Sequence, residues 1–185
     1  MESDLDRNLV GSDMIGLIRR AQSGEVLAFN LLVRLEQDEA YCFALRFLGS
    51  REAAELATKN AIISAYRNIK SFRGGNFRFW LLRIVANMAL DQIHRGRHGG
   101  QRSMANRFHE SDMSFIESSE GALQVALMEL SEQCRLVVIL SDIQRLTYEE
   151  IAYSFAIPVD VVKSRLALGR GRLRDILYDS MVPSI

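Results

Sequence analysis

Apolar residues along this chain recur in blocks at spacings of three and four, with few runs that alternate singly. That period belongs to helices with one buried face. The first block predicts a short helix over Ser12–Gln22, capped by Ser12 or Asp13, with Met14, Ile15 and Ile18 on its buried side. Ser23-Gly24 breaks it. Glu25–Leu48 predicts a long helix with Phe29, Leu32, Val33, Tyr41, Leu45 and Leu48 among its apolar positions, and Gly49-Ser50 ends it. In a third helix, Arg51–Ile69, the residues Leu56, Ile62, Ile63, Tyr66 and Ile69 mark one face. Lys70–Asn76 reads as a loop by its adjacent glycines. Phe77–Arg95 is the most apolar helix. Its polar residues Arg83, Asn87, Asp91 and Arg95 recur every four positions and so form one stripe. Four helices that each bury one side make a small bundle.

Between Gly96 and Ser118 the periodicity disappears, in a segment first basic and then acidic, which reads as an interdomain linker. Helical pattern resumes at Glu120–Leu130. A further helix starts at Ser131-Glu132, carries Leu136, Val137, Ile139 and Leu140, and ends at Gln144-Arg145. Thr147 is suited to cap the next, with Glu149 and Glu150 in its first turn and Ile151, Ala152 and Phe155 as an apolar stripe. Pro158 suits the first position of the last helix. There Val159, Val162, Leu166, Gly169 and Leu173 share one face, and Ser164 lies opposite with Lys163 and Arg165 to either side. The expected architecture is all-α: two small helical domains, 1–95 and 119–185, joined by a flexible linker over 96–118. The second ends in two helices across a tight turn, as in a helix-turn-helix DNA reader. Periodicity alone fits an ordinary amphipathic hairpin equally well.

Composition adds a few constraints. The formal net charge is zero, yet Pro158–Arg174 holds five cations and one anion, while Met1–Asp13 holds four acids and one Arg. A local basic patch of this kind suits nucleic acid whatever the total. The two cysteines, Cys42 and Cys134, lie far apart behind an acidic N-terminus unlike a signal peptide, which suggests reduced thiols and a cytoplasmic location. No apolar run is long enough to enter a membrane. His94 and His98 have helical metal-ligand spacing, but no Cys or carboxylate completes a set, so no metal or cofactor is expected. Phe77, Phe79 and Trp80 sit beside Arg73, Arg78 and the glycine loop. That arrangement suits either stacking of unpaired bases or core packing, with core packing favoured for Trp80.

Several motifs together resemble one family. In the C-terminal half these are Leu130–Arg135, Ser141-Asp142-Ile143, Leu146–Ala152, Ile157-Pro158-Val159, Val162–Leu166 and Arg172-Leu173-Arg174. In the N-terminal half they are Phe72–Phe77, Trp80-Leu81, Arg83-Ile84, Ala86-Asn87 and Asp91. On these motifs the chain resembles an extracytoplasmic-function sigma factor, an initiation factor of bacterial RNA polymerase. The resemblance implies promoter DNA, the polymerase core (its clamp coiled coil and flap) and an anti-sigma factor as partners, with no bond chemistry. It assigns Thr147, Tyr148, Lys163, Ser164, Arg165 and Arg170 to the upstream (minus-35) promoter element. Arg73, Asn76, Phe77, Phe79, Arg83, Asn87 and Asp91 go to opening and reading of the downstream (minus-10) element. Glu55, Leu56, Lys59, Ile62, Ile63 and Tyr66 of the third helix go to the polymerase.

The departures are specific. An ungapped match of the third helix puts Ala53 and Leu56 at two usual Asp positions and Lys59 at a usual Gln, whereas a one-residue slip puts Glu52 and Glu55 at the Asp positions. Ala156 stands at the usual turn Gly, Asp160-Val161 replace Gly-Thr, and Leu168-Gly169 and Gly171 thin the basic surface. The altered third helix leaves room for a regulator that decoys an anti-sigma factor without binding core. A simple helix-turn-helix repressor would leave the Phe72–Asp91 motif without a purpose.

Overall fold

Residues 14–22 form α1 and Val26–Leu48 form α2; the computed structural model describes residues 14–98 and 119–181. The expected caps Ser12 and Asp13, and nearly all of the linker, lie outside the described residues. On α1 the buried stripe is Ile18 and Ala21, with Met14 and Leu17 packed against it. Ile15, expected inside, falls off that stripe and is 56% exposed. Glu25 stands one residue before α2 and pairs with Arg20 instead of capping the helix.

Ser50 caps α3 (Arg51–Asn68), its hydroxyl accepting from the Ala53 amide at 3.3 Å. Here the structure corrects the sequence reading. The buried face of α3 is an alanine seam, Ala54, Ala57, Ala61 and Ala65, set against α2 and against α4 (Phe77–His98). Small side chains let these helices approach closely, so Leu56 (52% exposed), Ile63 and Tyr66 are turned outward. A short 3-10 turn, Ile69–Ser71, closes α3. On α4, Leu81, Leu82, Val85, Ala86, Ala89 and Ile93 fill the core, and Arg83, Asn87, Asp91 and Arg95 form the exposed stripe that their spacing predicts.

The C-terminal half comprises α5 (Ser119–Met128), α6 (Glu132–Val138), α7 (Tyr148–Phe155) and α8 (Val159–Met181). The helix begun at Glu132 does not run uniformly to Gln144. It widens into a π-turn over Ile139–Ile143, where the Gln144 amide reaches the Ile139 carbonyl, and Arg145 then takes a positive φ of 63°. Pro158 stands just before α8, its carbonyl accepting from the Val162 amide, so it occupies the cap position and not the first turn. Gly169 faces the core of this half: a Cβ there would lie 2.7 Å from Val138 Cγ2. Its absence of a side chain lets α8 lie flat on α6.

The halves share one continuous apolar core. Polar ties cross between them as well. Gln124 Nε2 donates to the Arg46 carbonyl at 3.1 Å, Arg135 donates to the Phe47 carbonyl at 2.8 Å, and Arg78 bridges Glu39 and Gln144 at 3.2 and 2.6 Å. Arg46 and Phe47 lie in the last turn of α2, whose carbonyls have no partner within their own helix. The C-terminal half therefore supplies caps for an N-terminal helix.

Candidate nucleic-acid interface

The glycine loop between the 3-10 turn and α4 is pinned at its base. Gln22 Nε2 of α1 donates to the Ile69 and Phe72 carbonyls at 3.2 and 2.8 Å. Phe72, Phe77 and Trp80 form an aromatic triangle with ring centroids 5.4–6.0 Å apart. Phe77, assigned from sequence to DNA contact, is only 2% exposed and is the inner member of that triangle. Its role in this structure is to hold the loop. Asn76 accepts from the Arg78 amide at 2.9 Å through its side-chain oxygen and so starts α4. Gly74 and Gly75, at φ 102° and 90°, form the exposed tip.

Above this base lies a cavity of about 390 Å³. The loop, Phe79, Trp80 and Arg83 line one side; Glu150, Tyr153 and Ser154 of α7 line the other. Half-buried aromatics, exposed Arg73 and Arg83, and Asn87 one turn further along α4 make a setting for an unstacked base beside its phosphate. Asp91 continues the stripe away from the loop.

On the other side of the bundle, Glu55, Lys59, Ile62 and Ile63 line a groove of about 430 Å³ with Tyr41 of α2. Tyr66 lies edge-on to Phe29 at 5.1 Å and extends the apolar surface beyond the groove. Burial, and then the nearby Glu55 carboxylate, push the Tyr41 phenol above its usual pKa. Four of the third-helix residues assigned to polymerase contact thus line this groove, and Leu56, which does not, is the most exposed apolar member of the set.

In the C-terminal half Thr147 forms a capping box. Its hydroxyl accepts from the Glu150 amide at 3.2 Å, and its own amide donates to the Glu150 carboxylate at 2.8 Å. Between α7 and α8, Ala156 adopts φ 51°, ψ 44°, a left-handed conformation in which an alanine Cβ is crowded. Ala156→Gly is therefore expected to stabilise the chain by about 0.5–1 kcal/mol, the relief of crowding being partly offset by the freer unfolded glycine. A higher urea midpoint at unchanged slope would register it.

On α8, Val162 and Leu166 are buried, Lys163 and Ser164 are exposed and Arg165 is half-buried. Asp160 lies 3.7 Å from Lys163 with both side chains largely in water, a pair that contributes little to stability. Arg170 is held differently. Its guanidinium makes a two-pronged contact with Asp142 (3.0 Å from Nε) and reaches the Tyr148 hydroxyl at 3.5 Å. The hydrogen bond to Asp142, followed by that to Tyr148, raises the Arg170 pKa. Arg170 and Tyr148 therefore brace α8 against the π-turn.

Comparison with known proteins decides the family. Residues 32–98 match Sigma-70 region 2, and residues 120–173 match Sigma-70 region 4. The ECF RNA polymerase sigma-E factor of Escherichia coli K12 is 31% identical over 185 residues, covering 91% of this chain and 94% of that protein. The chain belongs to the extracytoplasmic-function RNA polymerase sigma factors. The ECF sigma factor SigE of Mycolicibacterium smegmatis is 32% identical over 154 residues; the match covers 79% of this chain and 60% of that longer relative. The sigma factor RpoE of Bartonella quintana, solved in complex with the anti-sigma factor NepR, superposes with a TM-score of 0.67 at 25% identity over 81% of this chain and 96% of that one. In this sigma factor the region 2 match spans the α3 surface and the glycine loop, and the region 4 match spans the capping box and α8 as far as Leu173. Helix α1 precedes both.

Proposed function

We propose that this sigma factor acts in the cytoplasm by loading core polymerase onto a defined promoter set and holding open the downstream element. The observation that carries it is the pair of separate DNA-facing surfaces: the Arg73–Arg83 cavity with its polar stripe, and the Lys163–Arg165 edge of α8. In this reading the exposed α3 residues Leu56, Lys59, Ile63 and Tyr66 dock on the polymerase clamp. The N-terminal domain ends near Arg95 and the reader domain begins near Ser119. Because Glu150, Tyr153 and Ser154 of the reader domain wall the base-holding cavity, DNA loading has to part the two halves. The packed arrangement is the form an anti-sigma factor would hold, a reading supported by the likeness to a sigma factor solved with its inhibitor. Among the described residues, no helix is long and apolar enough to cross a membrane.

Reconstituted transcription with purified core tests this. The chain should bind core and select start sites; inhibitor capture without core binding would instead make it a decoy. Within that assay Lys163→Ala should weaken upstream-element binding by about 1–3 kcal/mol if the ammonium reaches a base, or lower the salt slope by about one if it reaches phosphate. An unchanged affinity and slope would take Lys163 out of the interface.

A further inference from the structure

The glycine loop has a second cleft on its other side, and of its lining residues only Arg73 carries a function assigned above. It measures about 690 Å³ and lies between α1 and the loop. Arg19 of α1, Lys70 of the 3-10 turn and Arg73 of the loop line it, all exposed, and no carboxylate is among its lining residues. Ile15 and Ile18 form its apolar wall, which gives the outward-facing Ile15 a surface to serve. Gln22 is also present, but its amide nitrogen is committed to the Ile69 and Phe72 carbonyls.

The two cavities share Phe72, Arg73, Gly74 and Gly75 as a common wall. The top of that wall is low. A Cβ on Gly74 or Gly75 would meet nothing within 4 Å. A strand whose base sits in the first cavity can therefore pass over the glycines and enter the second without displacing a side chain.

We propose that the α1–loop cleft holds the sugar-phosphate backbone of the same unpaired DNA strand, continuing from the downstream element across the Gly74-Gly75 ridge. This rests on the reading that the first cavity takes an unpaired base. Three cations without a lining acid match a polyanion, and the apolar wall matches a sugar edge or base face. With the Gln22 side-chain nitrogen committed to the loop, Arg19, Lys70 and Arg73 are the main polar side chains left in the lining, so the contact is carried by charge and is sensitive to salt. It extends the footprint of this sigma factor on the opened strand to a helix that lies before the region 2 match.

The test uses holoenzyme, made with the full chain and core polymerase, and labelled single strands of the promoter. One strand carries the downstream element alone, and two carry it with extra nucleotides on either the 5′ or the 3′ side. In wild-type holoenzyme one of the two extensions should tighten binding and steepen the salt dependence. The double variant Arg19→Ala, Lys70→Ala should bind the element-only strand as wild type does. It should lose about five- to tenfold in affinity for that one extended strand, with the salt slope smaller by about 1.4. The charge-keeping variant Arg19→Lys, Lys70→Arg should retain the gain. Equal binding of every strand by the alanine variant and wild type would overturn the proposal. So would an equal loss on the element-only strand, since the cations would then act at the element itself. Failure of wild-type holoenzyme to bind even the element-only strand would overturn the parent reading, and this one with it.

Discussion

Replacing Arg135 with alanine should lower the unfolding free energy by about 3–5 kcal/mol, because three buried carbonyls lose the donor that satisfies them. The Arg135 side chain is almost wholly buried. Its terminal nitrogens donate to the carbonyls of Phe47 at 2.8 Å, Met128 at 2.8 Å and Leu130 at 3.0 Å. Its guanidinium also lies over the Phe47 ring, 5.8 Å from the centroid. Burial depresses its pKa, with Glu132 and then Glu129 opposing that shift. Truncation would strand three carbonyls, each costing about 1–3 kcal/mol if it stays dry. Arg135→Lys should restore only part of this, because an ammonium lacks the planar fork that spans carbonyls on two chain segments. Phe47 belongs to one half of the molecule, Met128 and Leu130 to the other. Chemical denaturation should therefore show lost stability, and small-angle scattering should show an expanded molecule at concentrations of denaturant where wild type is still compact. A variant as stable and as compact as wild type would remove Arg135 as the tie between the halves.

That tie also shows where the sequence is silent. Arg135 donates to backbone carbonyls, and carbonyls leave no mark on composition or spacing. The only local hint is a lone cation at the head of the apolar run Leu136–Leu140. The Thr147 cap and the helix start at Ser131 were legible, by contrast, because their chemistry is local, each hydroxyl accepting from an amide three residues on; Ser50, read only as the end of α2, does the same for α3. The exposed stripe of α4 was legible for a similar reason, since polar residues on a helix interior would be costly and their period names the wet face. On α3 the same logic misplaced the core. Periodicity read from Leu56, Ile63 and Tyr66 follows the largest apolar side chains, whereas the packed face is built from alanines that permit close helix approach. The outward placement of those large residues is itself a functional signal that size alone concealed. Phe77 was ambiguous in principle, because an aromatic beside cations satisfies both a core and a base-stacking pattern. Only the triangle with Phe72 and Trp80 separates them. Gly169 carries two readings in sequence, a member of the buried face with Val162 and Leu166 and a thinned basic surface, and the close contact with Val138 bears out the first.

Substituting Arg83 and Asn87 together by alanine should reduce promoter opening by about ten- to a hundredfold while sparing the fold. Both side chains are exposed, and neither has a hydrogen-bond or ion-pair partner among the described residues, so stability should change by no more than about 0.5 kcal/mol. Their value arises only when a strand is unpaired. Extruding a base costs a few kcal/mol, and that cost is met by contacts made to the opened strand alone. A charge-assisted contact from Arg83 contributes about 1.5–3 kcal/mol and a neutral one from Asn87 about 1 kcal/mol, so losing both removes much of the compensation. The defect should appear as reduced permanganate reactivity of thymines in the downstream element, with core binding and upstream duplex binding intact. A promoter carrying a mismatched bubble already has its bases unpaired. On that template the double variant should recover most of its activity, because only residual affinity for the strand is then missing. Equal defects on paired and bubble templates would mean that Arg83 and Asn87 act after opening. No defect on either would move the base-holding role off this stripe and leave it to the loop.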